Sequence, residues 1–182
     1  IDACLVGSEM CIRDRAWSNP VVERWLIDPD VDESNRDYLE SLQETCNAGT
    51  VQAVAEVPIY HDRPDSETFT YYFEARIETP DQPTIIYLPG GPGGPSIGSD
   101  GHWTLGNFVN IDHRGNGCNF QDEGSLDLDA MTTWQTVRDI GYVIRELGLS
   151  DFVIYGHSYG TVSATQLVHH LEQDLGLSLI HI

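Results

Sequence analysis

The residues best suited to do chemistry are Gly156-His157-Ser158-Tyr159-Gly160, a serine between glycines at the spacing G-x-S-x-G. They lie between a short apolar run, Phe152 to Tyr155, and a helical pattern from Thr161 to about Gln173. A serine hydroxyl is a weak nucleophile until a base takes its proton, and a sharp strand-to-helix turn is where a chain can lift such a serine clear of a sheet. Gly156 and Gly160 fit that turn, because side chains flanking the serine would collide with neighbouring strands and the bend demands unusual backbone angles. At the start of the following helix, the N-terminal dipole favours a developing negative charge. The chemistry is acyl transfer with Ser158 as nucleophile. An ordinary glycine turn would explain the five residues but not the strand before them or the helix after them.

Two further motifs each follow an apolar run. Leu88-Pro89-Gly90-Gly91-Pro92-Gly93-Gly94-Pro95 follows Thr84 to Leu88, and Asp112-His113-Arg114-Gly115-Asn116-Gly117-Cys118 follows Phe108 to Ile111. A flexible surface linker seldom follows so apolar a strand. In the second motif Gly115 and Gly117 turn the chain, and Asp112 and Arg114 are expected to pair and brace the neighbouring loops. His169 and His170, with Glu172 and Asp174 close by, are excluded as the base: on the helix leaving Ser158 they stand about 16 Å or more away at roughly 1.5 Å per residue. Adjacent histidines point to different helix faces and the H-E-x-x-H spacing is missing, so no metal site is expected there. His157, inside the turn, points away from the reacting centre and is not the base.

As a set, Gly-Gly-Pro-Gly-Gly, then Asp-x-Arg-Gly-x-Gly, then Gly-His-Ser-Tyr-Gly resembles the α/β-hydrolase superfamily, in its proline-iminopeptidase and tripeptidyl-aminopeptidase branch, from about Val51 to Gln173. The resemblance implies an oxyanion hole made by the backbone N–H groups of Gly91, in the loop shaped by Gly90, Pro92 and Gly93, and of Tyr159. Pro89 stands where the family usually has histidine, and proline has no N–H to donate. The activity implied is release of N-terminal proline or of short N-terminal peptides from a peptide or small amide or ester substrate, through an acyl-enzyme and without a cofactor. Triad partners in this fold follow the serine in the order acid, then His. Only about two dozen residues follow Ser158, so the acid, the His and the cap region that sets specificity are expected outside this chain, which would be inactive alone. A carboxylesterase or lipase-like hydrolase is the alternative enzyme, and a non-catalytic binding protein on the same fold the alternative without chemistry.

The elements that must hold these motifs are legible in outline. Val51 to Tyr60 and Phe69 to Ile77, separated by a turn-rich stretch, read as a hairpin. Thr84 to Leu88 reads as a strand buried on both faces, and Phe108 to Ile111 and Phe152 to Tyr155 as further short strands. Met131, Trp134, Val137, Ile140, Ile144 and Leu147 recur at helical steps up to Gly148, with Asp127 or Asp129 as the expected N-cap. A hairpin followed by strands alternating with helices predicts the α/β class: an α/β-hydrolase fold with a mainly parallel sheet and helices on both faces, truncated after the helix that follows the nucleophile.

Composition narrows the function classes. The formal net charge is -20, from 29 acidic residues against nine basic ones, all arginine. The absence of lysine removes the Walker phosphate loop, Schiff-base chemistry and a Ser-Lys dyad, and argues against nucleic acid as partner. No apolar run approaches the roughly 20 residues that span a bilayer. Residues 10–15 and 177–182 can be encoded by one nucleotide element in opposite orientations, resembling a sequencing-library adapter. Residues 1–15 and 177–182 are therefore expected to be non-native, residues 16–50 an N-terminal segment that packs onto the core, and residues 51–176 the front of the hydrolase domain. Cys46 and Cys118 then remain, either as two thiols or as one disulfide. A strongly acidic surface without lysine also suggests a host that works in high salt.

Overall fold

A computed structural model of the chain describes residues 12–13, 17, 19–79, 81–98, 106–120 and 128–173. The described strands form one six-stranded sheet, β1 Ile12–Arg13, β2 Val51–Pro58, β3 Thr68–Arg76, β4 Thr84–Leu88, β5 Phe108–Asn110 and β6 Phe152–Gly156, in the order β1-β2-β3-β5-β4-β6. β2 and β3 are the expected hairpin, broken by a bulge between Val54 and Val57 where Glu56 takes a φ of 65°. β3 joins β5 antiparallel, and β5, β4 and β6 run parallel. β4 is paired on both edges, and its Thr84, Ile86 and Leu88 are buried on the face that packs under helices, while Ile85 and Tyr87 on the opposite face are only partly buried, so the burial expected on both faces is complete on one. β6 departs from expectation. It has one neighbour, β4, and leaves Val153 and Tyr155 about half exposed, because among the described residues nothing covers that face.

α3, Thr133–Glu146, and α4, Gly160–Gln173, pack on each other and on the sheet, burying Val137, Ile140, Val143, Ile144, Leu167 and Leu171 against Tyr71, Phe73, Ile86 and Leu88. The α3 stripe begins a turn later than the spacing predicts, since Met131 and Trp134 are 42% and 40% exposed. The cap also differs: Thr132 accepts the Gln135 N–H at 3.3 Å, while Asp127 lies outside the described residues and Asp129 is too far upstream for a capping bond.

Residues 16–50 supply α1 Pro20–Ile27 and α2 Glu33–Cys46. The Asn19 side chain caps α1 at Val22, and Asp32 caps α2 at Asn35. The Arg36 guanidinium ties the two helices by donating to the carbonyls of Leu26, Asp28 and Val31. A second apolar cluster of Trp17, Val22, Leu39 and Ile97 surrounds a disulfide between Cys46 and Cys118, which settles the cysteine alternatives in favour of pairing.

Candidate active site

β6 leads straight into the turn that carries Ser158, and His157 N–H donates to Leu88 O of β4 at 3.1 Å, so the turn is anchored to the neighbouring strand. Ser158 is exposed and has a φ of +52°, a left-handed conformation rare for a residue with a side chain. The walls of the turn explain the flanking glycines: a Cβ at Gly160 would meet Leu88 O at 2.1 Å, and one at Gly156 would meet Gly160 O at 2.4 Å. Helix α4 starts at once, with Gly160 N–H donating to His157 O and Thr161 N–H to Ser158 O. Among the described residues no side chain hydrogen-bonds the Ser158 hydroxyl.

The loop after β4 lies against this turn. A Cβ on Gly90 would come within 3.2 Å of both Ser158 Cβ and His157 Nδ1, which is the closeness that brings the loop backbone beside the serine. Gly91, with a φ of +130°, precedes a cis peptide to Pro92, Gly93 has a φ of +97°, and Gly94 N–H closes the turn on Gly90 O at 3.0 Å. Among the described residues no group accepts the backbone N–H of Gly91 or of Tyr159.

Asp112 and Arg114 do not pair with each other. Asp112 accepts the backbone N–H groups of Ser96, Ile97 and Cys118 at 2.5, 3.1 and 3.1 Å, tying the end of the glycine loop to its own turn. Burial holds its carboxyl above the usual range, and the N–H donors pull against that shift. Gly117, with a φ of +50°, leaves room for this carboxylate, since a Cβ there would lie 2.1 Å from Asp112 Oδ2. Gly115, with a φ of +74°, lies against Met131. Arg114 instead meets Asp139 of α3 through Nε to Oδ2 at 2.7 Å and Nη2 to Oδ1 at 2.5 Å. It also donates to the carbonyls of Pro58, Ile59 and Ala130. His61 Nε2 lies 2.8 Å from the same Asp139. The expected pairing failed because both carboxylate oxygens of Asp112 face backbone donors, while a fully buried guanidinium needs a buried carboxylate, which α3 supplies.

Sequence reasoning missed Asp139, His61 and Asn119. Asp139 falls within the helical pattern of α3 as an ordinary polar position, and its burial inside an amphipathic helix is decided by what packs over it. Asn119 bonds both Tyr72 N–H and Tyr72 O, and also Asp112 O, so it works as an extra rung between the motif turn and β3. The groove of about 810 Å³ between α3 and α4, lined in part by Trp134, His169 and Gln173, does not include any residue of the serine turn.

Residues 83–175 match the alpha/beta hydrolase fold family. Over 118 residues, 63% of this chain, the sequence is 30% identical to the proline iminopeptidase of Arabidopsis thaliana and 36% identical to that of Neisseria gonorrhoeae, covering 30% and 37% of those proteins. The crystal structure of a proline iminopeptidase-related protein from Thermus thermophilus aligns with a TM-score of 0.49 at 27% identity, over 57% of this chain and 38% of that one. The chain spans about a third of the length of the curated relatives it matches.

Proposed function

Because the chain belongs to the alpha/beta hydrolase fold family and is similar to proline iminopeptidases, we propose that it carries the nucleophile and oxyanion hole of a serine aminopeptidase. What supports this reading is the left-handed Ser158 with Gly90 packed against it, and the absence, among the described residues, of any acceptor for the backbone N–H groups of Gly91 and Tyr159. Ser158 Oγ attacks the scissile carbonyl, the two N–H groups receive the oxyanion, and an acyl-enzyme forms that water hydrolyses. The base that takes the serine proton and the acid that orients it come from outside the described residues, in keeping with the unpartnered Ser158 hydroxyl. Asp112, Arg114, Gly115 and Gly117 act through structure, by fixing the loops around the serine. The substrate is a peptide from which N-terminal proline or a short N-terminal peptide is released.

The test is hydrolysis of prolyl or alanyl fluorogenic amides against short-chain aryl esters by the full-length gene product. Faster amide cleavage, lost in Ser158→Ala, is expected. Esterase activity with no cleavage of any N-terminal amide would move the protein to the esterase class. Absence of both, with Ser158 inert to a fluorophosphonate probe, would leave a binding protein. The 182-residue chain alone is expected not to label with that probe, and labelling of Ser158 in it would show that a base lies within these residues.

A further inference from the structure

The loop that carries Gly91 has little slack. Gly94 N–H closes on Gly90 O at 3.0 Å and Ser96 N–H donates to Asp112 Oδ1 at 2.5 Å. Only Pro95 lies between those two bonds, and its ring fixes its own φ. Whatever moves residues 96–98 is therefore felt at Gly90 and Gly91, beside Ser158. The N-terminal helices grip these three residues from the far side. Ile97, 5% exposed, is the loop's contribution to the apolar cluster of Trp17, Val22 and Leu39. Gly98, with a φ of +71°, lies so close to the last turn of α2 that a Cβ on it would stand 2.4 Å from Thr45 Cγ2. Its N–H donates to Glu74 Oε2 of β3 at 3.1 Å.

The next residue of α2, Cys46, is bonded to Cys118, whose N–H donates to the other carboxylate oxygen of Asp112 at 3.1 Å. The end of α2 thus meets both strands of chain that the Asp112 carboxylate joins, the end of the glycine loop by packing and the Cys118 turn through sulfur. We infer that the N-terminal helical segment is a positioning element for the reaction, setting the Gly91 N–H relative to Ser158 through Thr45 against Gly98 and Cys46 bonded to Cys118; this rests on the proposed hydrolase reading. An oxyanion donor acts by standing in place before charge develops. A loop released on one side leaves substrate binding nearly intact and slows the chemical step, so the loss falls on kcat. A packing role alone predicts a lower melting midpoint with unchanged turnover of the folded enzyme.

The test uses the full-length gene product, at a temperature where circular dichroism shows every variant folded. Turnover of the fluorogenic amide is read beside amide hydrogen exchange over residues 90–98. Replacing both Cys46 and Cys118 by alanine is expected to speed exchange over 90–98 while exchange in β4 stays as in the parent. It should also lower kcat by about tenfold or more with KM within about twofold, since a misplacement of about 1 Å costs about a hundredfold. Gly98→Ala keeps the disulfide and tests the other contact, which covers the case of a cysteine variant that does not fold. Its methyl collides with Thr45, a β-branched side chain with little freedom in a helix, and the same two changes are expected. Adding Thr45→Ser removes the colliding methyl and should restore most of the lost kcat. The left-handed angle at position 98 is common to the single and double variants, so the recovery reports the contact and not the backbone. Unchanged exchange over 90–98 in these variants overturns the inference whether or not the parent is active. In an active enzyme it is also overturned by parental kcat in the folded variants, or by a loss in Gly98→Ala that Thr45→Ser does not restore. An inactive parent in which the variants speed exchange over 90–98 refutes only the hydrolase reading.

Discussion

Asp139 is the residue on which most of the motif architecture converges, because it neutralises the buried Arg114 and receives His61. Removing one partner of a buried pair costs about 3–5 kcal/mol, since the other charge stays buried and unbalanced. Asp139→Asn is therefore expected to lower unfolding free energy by about that amount in urea denaturation, and Arg114→Met together with Asp139→Leu to cost much less than the two single changes summed. His113 gives a second residue-scale expectation. Burial holds its imidazole below the ordinary value of 6.5, so the unfolded chain takes up the proton first as the solution is acidified. Its contribution to stability is complete above about pH 6.5 and is lost as pH falls through the depressed folded value. Stability measured from pH 8 to pH 5 should fall less steeply in His113→Gln than in the parent; equal slopes would show that His113 does not titrate there.

At the scale of elements, the disulfide links α2 to the short turn that ends the Asp112 motif, across 72 residues. Trp17 Nε1 donates to Cys118 O at 2.9 Å, so the N-terminal segment is fastened to that turn twice. Closing a loop of this length removes unfolded-state entropy worth about 4 kcal/mol. Reduction, or replacing both Cys46 and Cys118 by alanine, should lower the melting midpoint by about 10 °C. Trp17 should become accessible to quenchers before the β4–β6 block unfolds, because its cluster is separate from the main core. Simultaneous loss of both clusters would show instead that they fold as one unit.

For the whole molecule, charge has the widest reach. A formal net charge of -20 with no lysine makes the surface repel itself, and the repulsion fades as the Debye length drops from about 10 Å at 0.1 M salt to about 3 Å at 1 M. The melting midpoint of the chain is expected to rise from low to molar sodium chloride. A flat or falling midpoint would mean that the charges are already compensated locally, as at Arg76 and Glu78, which form an exposed pair.

The sequence alone determined the parts whose physics is local. Ser158 between glycines, the glycine loop after β4 and the hairpin before it are written in short runs, because alternation, apolar continuity and turn residues act over a few positions. Strand β4 and the span of α4 were legible for that reason. What only the tertiary structure decided depends on residues distant in sequence. Arg114 found its carboxylate 25 positions away rather than at Asp112, and Cys46 found Cys118 across 72. Val153 and Tyr155, apolar enough to read as buried, are uncovered because burial depends on which neighbour lies beyond a strand, and composition does not record it. The contact of His113 with Tyr159, edge-on at 6.0 Å, belongs to the same class, because the two residues follow strands β5 and β6, which meet only through their shared neighbour β4.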